Sequence, residues 1–261
     1  METLKMWDTV PGMCEEAPVL EYYKSENRKS DGTVIIFPGG GYAHRAPHEG
    51  KGYAEYFNSI GIDAFVLQYR VSPHRFPLEL LDARRAVRYV RHNAEKFGIN
   101  PDKIAVMGSS AGGHLAAMVS TYRDGIEFED TDEIDKETCI PNYQILCYPV
   151  VSTSALDIAH IGSMYNLLGE NIYIAPTVDP ILIADEKTPK AFIWHTSNDN
   201  AVNVCNSLRY GEKLRKLNIN FEMHIFPEGA HGLGLAPENP HVAQWSGLLK
   251  NWLEINGYFA K

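Results

Sequence analysis

Long apolar runs are missing from this 261-residue chain. No stretch approaches the roughly 18 to 20 consecutive apolar residues that a membrane-crossing helix needs, so a bilayer-spanning role is set aside. A chain that is 44% hydrophobic and 22% charged has the composition of an ordinary soluble globule. Cysteine is scarce as well: Cys14, Cys139, Cys147 and Cys205 lie far apart and form no C-x-x-C pair. That pattern argues against a zinc site and against a disulfide framework, and buried thiols are expected instead. Basic residues are in deficit, with 24 Lys and Arg against 33 Asp and Glu and a formal net charge of -9. No basic run offsets this balance, so nucleic acid is not an expected partner. The segment from Met1 to Asp8 lacks a basic region followed by an apolar one, and a cytoplasmic location without a signal peptide is the resulting expectation.

The chain does contain regular alternation. Short apolar, β-branched or aromatic runs at 33–37, 63–69, 103–107, 143–148, 190–194 and 220–226 read as strands. Between them, 51–59, 78–97, 111–122, 206–217 and 242–255 carry helical periodicity. Gly61, Gly98 and Asn218 follow helix ends, as helix C-caps do. Such alternation implies a mostly parallel central sheet with helices on both faces. At this length one domain over 1–261 is expected. The irregular stretch at 151–189 falls between two core strands and is expected to cross the mouth of any site as a cap-like insertion.

The run from Val106 to His114 carries the chemistry. A strand-like segment enters Gly108-Ser109-Ser110-Ala111-Gly112 and leaves as a helix-like Gly-His-Leu-Ala-Ala-Met, the layout of a nucleophile elbow. Ser110 is therefore the candidate nucleophile. A serine hydroxyl needs a histidine to take its proton and a carboxylate to orient that histidine. Asp199 follows the strand at 190–194, and His231 follows the strand at 220–226. Catalytic groups of open α/β sheets gather at the carboxyl ends of strands, and Ser, acid, His is the chain order of α/β-hydrolases. Taken alone, Asp199 reads more commonly as a turn residue in an Asn-Asp-Asn loop. Glu228 is a rival acid, set lower because it lies too near His231 in sequence to come from the preceding strand end.

Gly39-Gly40-Gly41 after the first long strand fits an oxyanion loop, with donors expected from Gly40, Gly41 and Ala111. His195 is expected to pack or hydrogen-bond near the Asp199 loop, and His114 to be a buried neighbour of the site. His44 and His48 have the i, i+4 spacing of a metal pair, yet Pro47 interrupts and no third ligand is evident, so surface or rim positions are expected. Tyr42, Tyr165 and Tyr173 are candidates to stack on sugar rings or, equally, packing residues.

Pro38 to Tyr42, Tyr69-Arg70 with Asp82 to Ala86, Gly108 to Ala116, Trp194 to Val202 and Gly229 to Leu235 together resemble the α/β-hydrolase esterases of the acetyl-esterase, acetylxylan-esterase and bacterial feruloyl-esterase-like group. The resemblance spans nearly the whole chain. It implies an α/β-hydrolase fold and a serine carboxylic-ester hydrolase acting on a small-molecule ester, with Ser110, Asp199 and His231 as triad and no cofactor or metal. Acetyl or other short acyl groups on small carbohydrate-type alcohols are the expected substrates. A feruloyl esterase and a lipase are the alternatives, followed by a catalytically silent binding protein, whose mark would be a lost triad residue. Two departures stand out. Pro38 replaces the histidine of the His-Gly-Gly-Gly motif of hormone-sensitive-lipase-like enzymes, and Asn203 stands where many relatives carry proline. A serine at the elbow argues against dienelactone hydrolases, and the chain has no room for the propeller of prolyl-oligopeptidase-like peptidases. Self-association is left open by the sequence.

Overall fold

The computed structural model describes residues 1–12, 17–126 and 131–259, so Cys14 lies outside the described residues. Of the other cysteines, Cys139 and Cys147 are buried free thiols, as expected, and Cys205 is half-buried. Eight strands among the described residues form one sheet: β1 (Glu2–Lys5), β2 (Val19–Tyr23), β3 (Thr33–Phe37), β4 (Asp63–Gln68), β5 (Ile104–Ser109), β6 (Tyr143–Cys147), β7 (Lys190–Thr196) and β8 (Phe221–Phe226). Their order is β1-β2-β4-β3-β5-β6-β7-β8. The pairs β1 with β2 and β2 with β4 are antiparallel, and every other pair is parallel.

The parallel strands are buried on both faces, which is why they read as continuous apolar runs. Successive side chains point to opposite faces. Ile35, Phe37, Ile104 and Val106 join a core with α2 (Leu78–His92), α4 (Ala111–Thr121) and α7 (Cys205–Lys216). Val34, Ile36, Ala105 and Met107 join a second core with α1 (Pro47–Ser59) and α8 (Pro240–Ile255).

Several boundaries differ from the sequence reading. The expected helix at 78–97 is two elements, α2 and the short α3 (Ala94–Phe97). Asn93 sits at the break and turns its amide back onto the Tyr89 carbonyl at 2.8 Å, a local bond that competes with helix continuation. Gly98 at φ 65° then closes α3. α1 begins at Pro47, four residues before the expected start, because proline is well placed in a helix's first turn. The stretch at 151–189 is more regular than expected. It contains α5 (Ile161–Leu168), a 3-10 segment (Ile172–Val178) and the short α6 (Pro180–Ile183), and Met164, Leu167, Leu168 and Val178 anchor it in the first core. No helix among the described residues is long and apolar enough to cross a membrane.

Candidate active site

Close backbone approach shapes the elbow. A Cβ on Gly108 would lie 2.0 Å from the Gly112 carbonyl oxygen, and one on Gly112 would lie 2.0 Å from that of Phe37. Only hydrogen fits at either position. Ser110 itself adopts φ 53°, ψ -120°, a strained conformation for a residue with a side chain. Backbone bonds on both sides hold it there: its N-H donates to the Cys147 carbonyl at 3.0 Å, and its own carbonyl accepts the Val150 N-H at 3.0 Å.

Because β5, β7 and β8 run parallel, their carboxyl ends bring Ser110, Asp199 and His231 to one edge of the sheet. The Ser110 hydroxyl lies 2.8 Å from His231 Nε2, and His231 Nδ1 lies 2.7 Å from Asp199 Oδ2. Asp199 Oδ1 accepts the N-H groups of Ala201 and Val202, each at 2.9 Å. Burial pushes the Asp199 carboxyl up, but hydrogen bonds from His195, His231 and the Val202 N-H outweigh it and hold the group below the usual carboxylate range. Asp199 is thus an ionised acceptor with its side chain out of solvent, whereas the rival Glu228 is exposed and makes no bond to His231. His195 Nε2 reaches the Val202 carbonyl at 3.0 Å and Asp199 Oδ2 at 3.2 Å, which places its proton on Nε2 and makes it a support of the Asp199 loop.

Gly40 and Gly41 face the same pocket as Ser110 and His231, a space of about 230 Å³ also lined by His48 and His160. Both glycines have positive φ, at 129° and 64°. The Gly40 carbonyl accepts the Ala43 and His44 N-H groups, and the Gly41 carbonyl accepts the Asn166 amide at 2.9 Å. Ala111 opens α4, so its N-H belongs to the donors that a helix start leaves without an intrahelical acceptor.

A buried carboxylate that the sequence reading passed over ties this loop to the His231 loop. Glu49 Oε2 accepts the Gly39 N-H at 2.7 Å, and Oε1 accepts the Tyr148 hydroxyl at 2.6 Å. Tyr148 in turn accepts the Gly234 N-H at 2.9 Å and packs edge-on against the His231 ring. Glu49 sits between His48 and Gly50 in the first turn of α1 with no motif around it, and a lone glutamate in a helical pattern gives no sequence signal. His160, at the start of α5, was also passed over because its segment read as irregular.

The remaining expected residues separate by burial. Tyr42 is buried and 2.7 Å from His114 Nδ1, so it is closed to a sugar ring, while Tyr165 and Tyr173 are exposed. His114 Nε2 donates to the Val178 carbonyl at 2.8 Å, and burial pushes this imidazole down to about 4. A neutral His114 therefore accepts the Tyr42 hydroxyl and links the glycine loop, the elbow helix and the insertion. His48 is exposed at the pocket, its Nε2 at 2.9 Å from the Gly232 carbonyl, and His44 is exposed. Among the resemblance motifs, Tyr69 donates to the Pro38 carbonyl, and Arg70 pairs with Asp82 with both side chains fully buried. Asn203 makes a turn: its Oδ1 accepts the Cys205 N-H and its carbonyl accepts that of Asn206, leading into α7.

The family model described as BD-FAE matches residues 20–214. The chain belongs to the BD-FAE family. Its fold is that of the α/β hydrolases. A crystal structure of an acetyl ester-xyloside bifunctional hydrolase from Caldicellulosiruptor lactoaceticus superposes with a TM-score of 0.93 at 42% identity, covering 99% of this chain and 97% of that one. An acetylxylan esterase from Xylanibacter ruminicola is 30% identical over 85% of this chain and 45% of its own length. An endo-1,4-beta-xylanase B from Butyrivibrio fibrisolvens is 35% identical over 87% of this chain and 36% of its own length. This chain thus spans between a third and a half of the length of those two curated relatives.

Proposed function

We propose that this BD-FAE protein is a serine carboxylic-ester hydrolase that removes acetyl or other short acyl groups from small carbohydrate-type alcohols. The observation that carries the reading is the continuous chain from the Ser110 hydroxyl through both nitrogens of His231 to the Asp199 carboxylate, at 2.8 and 2.7 Å. Ser110 attacks the ester carbonyl carbon while His231 Nε2 takes its proton, and Asp199 stabilises the imidazolium and fixes the ring. The developing oxyanion meets the N-H groups of Ala111, Gly40 and Gly41. Collapse breaks the bond to the alcohol oxygen, which leaves with the proton from His231. Water then attacks the acyl-enzyme, gives a proton to His231, and the acid departs as Ser110 recovers its hydrogen.

Short acyl groups are supported by the size of the pocket, since about 230 Å³ is below the ~300–1,000 Å³ common for drug-sized ligands. The carbohydrate alcohol is supported by the acetylxylan esterase and the acetyl ester-xyloside hydrolase among the relatives. Rates on acetyl, feruloyl and octanoyl esters of one alcohol test the reading. Overfilling a fixed pocket costs about 1–3 kcal/mol, so acetyl should exceed octanoyl in kcat/KM by roughly tenfold or more. A preference for octanoyl would identify a lipase, and a preference for feruloyl a phenolic-acid esterase.

A further inference from the structure

His160 is the residue before α5 and caps that helix. Its Nδ1 accepts the Ser163 N-H at 3.2 Å and lies 2.8 Å from the Ser163 hydroxyl. A backbone N-H can only donate, so Nδ1 must present a lone pair, and the proton of the neutral ring resides on Nε2. Burial and the neighbouring His231 hold this imidazole below the usual histidine range, with Asp199 opposing them. The ring is half-buried and lines the pocket that contains Ser110 and His231. Its Nε2 has no hydrogen bond to a described residue, whereas both nitrogens of His114, His195 and His231 are engaged. The helix cap therefore holds the ring at the pocket wall and leaves its N-H donor without a partner among the described residues.

We propose that His160 is a specificity residue whose Nε2-H donates to an oxygen on the alcohol half of the substrate, a hydroxyl or the ring oxygen of a sugar. This inference rests on the esterase reading above. In an acetyl ester the acyl half holds a single polar group, the carbonyl, and the backbone donors of Gly40, Gly41 and Ala111 serve it. A fixed donor beside the reacting serine then finds its acceptor on the alcohol, and a polyhydroxylated alcohol supplies one where a plain alcohol does not. α5 also contributes Asn166 to the Gly41 carbonyl at 2.9 Å, so the helix that orients His160 is itself tied to the loop opposite the serine.

The test compares acetate release from an acetylated methyl xyloside and from phenyl acetate, which carries no hydroxyl beyond the ester. His160→Asn keeps a side-chain acceptor for the Ser163 N-H, because asparagine is a good N-cap, but withdraws the Nε2 donor. A neutral hydrogen bond is worth about 0.5–1.5 kcal/mol, so kcat/KM on the xyloside should fall roughly two- to tenfold more than on phenyl acetate. His160→Gln, whose amide nitrogen reaches nearly as far as Nε2, should recover part of that selectivity. Equal losses on both esters, or no loss on either, would overturn the assignment. Wild-type protein inactive on both esters would overturn the esterase reading and this inference together. Wild-type protein active on phenyl acetate alone would overturn the carbohydrate alcohol, and with it the role given to His160.

Discussion

The elbow and the 151–189 insertion meet at the same pocket under opposite constraints. At the elbow, backbone packs against backbone with 2.0 Å of clearance for a Cβ at Gly108 and Gly112, and Ser110 is held in a strained conformation. In the insertion the contacts run through side chains: His160 to Ser163, Asn166 to the Gly41 carbonyl, and Asp179 to the Ser152 and Ser154 hydroxyls. Leu156, Ile161, Tyr165, Ile172, Tyr173 and Leu182 there are exposed. The difference separates two tasks. Reacting groups need fixed positions, and interlocked backbone supplies them. Substrate choice needs side chains that can be exchanged without disturbing the sheet, and an insertion at the strand ends provides those.

The sharpest way to break this comparison is at its rigid end. Ser110→Ala removes a hydroxyl whose side-chain partner is His231, so folding should persist while kcat/KM drops on the order of 10⁶-fold. Ser109→Ala is the control. Its hydroxyl points to the opposite face, 3.0 Å from that of Tyr53, and its loss should leave most of the ester hydrolysis in a steady-state assay. A dead Ser109→Ala beside an active Ser110→Ala would place the elbow wrongly.

Asp199→Asn comes next, with an expected fall in kcat of about 10⁴-fold from the wrong histidine tautomer. The pH profile of the wild type carries the same information. His231 works as a base only when neutral, so kcat/KM must fall as protons are added on the acid side. The Asp199 carboxyl is held below its usual range and stays ionised while this happens, so the acid limb should have unit slope. A limb of slope two, or an Asp199→Asn protein of normal rate, would contradict the division of roles.

The smallest of these effects is on stability. Gly112→Ala forces a methyl into the Phe37 carbonyl and should cost about 1–3 kcal/mol or more in urea unfolding. Gly52→Ala, in α1 with no atom within 4 Å of the added Cβ, should instead stabilise by about 0.5–1 kcal/mol. Equal effects at the two sites would remove the case for an interlocked elbow.

What could be read in the sequence follows the same division. The parallel strands were legible because burial on both faces writes itself as runs such as Thr33–Phe37, and the three strand-end residues followed from their order. The two antiparallel strands were not, because β2 reads Val-Leu-Glu-Tyr-Tyr with only Leu20 and Tyr22 buried, and the edge strand β1 has one buried residue, Leu4. The helices of the insertion were hidden by their brevity and by Pro176 and Pro180. Glu49 and His160 act through tertiary contacts to residues far away in the chain or through a single capping bond, and neither leaves a motif. For Tyr42 the sequence leaves stacking and packing equally open, and the fold of its loop, which sets its hydroxyl on His114, decides for packing.

The central claim is that the hydrogen-bonded chain at the strand ends activates Ser110. A fluorophosphonate probe reacts with activated serines, and mass spectrometry of the digested protein locates the adduct. The account predicts one adduct per chain, on Ser110, lost in Ser110→Ala and strongly slowed in Asp199→Asn. An unlabelled protein, or an adduct on Ser109 or any other residue, would contradict it.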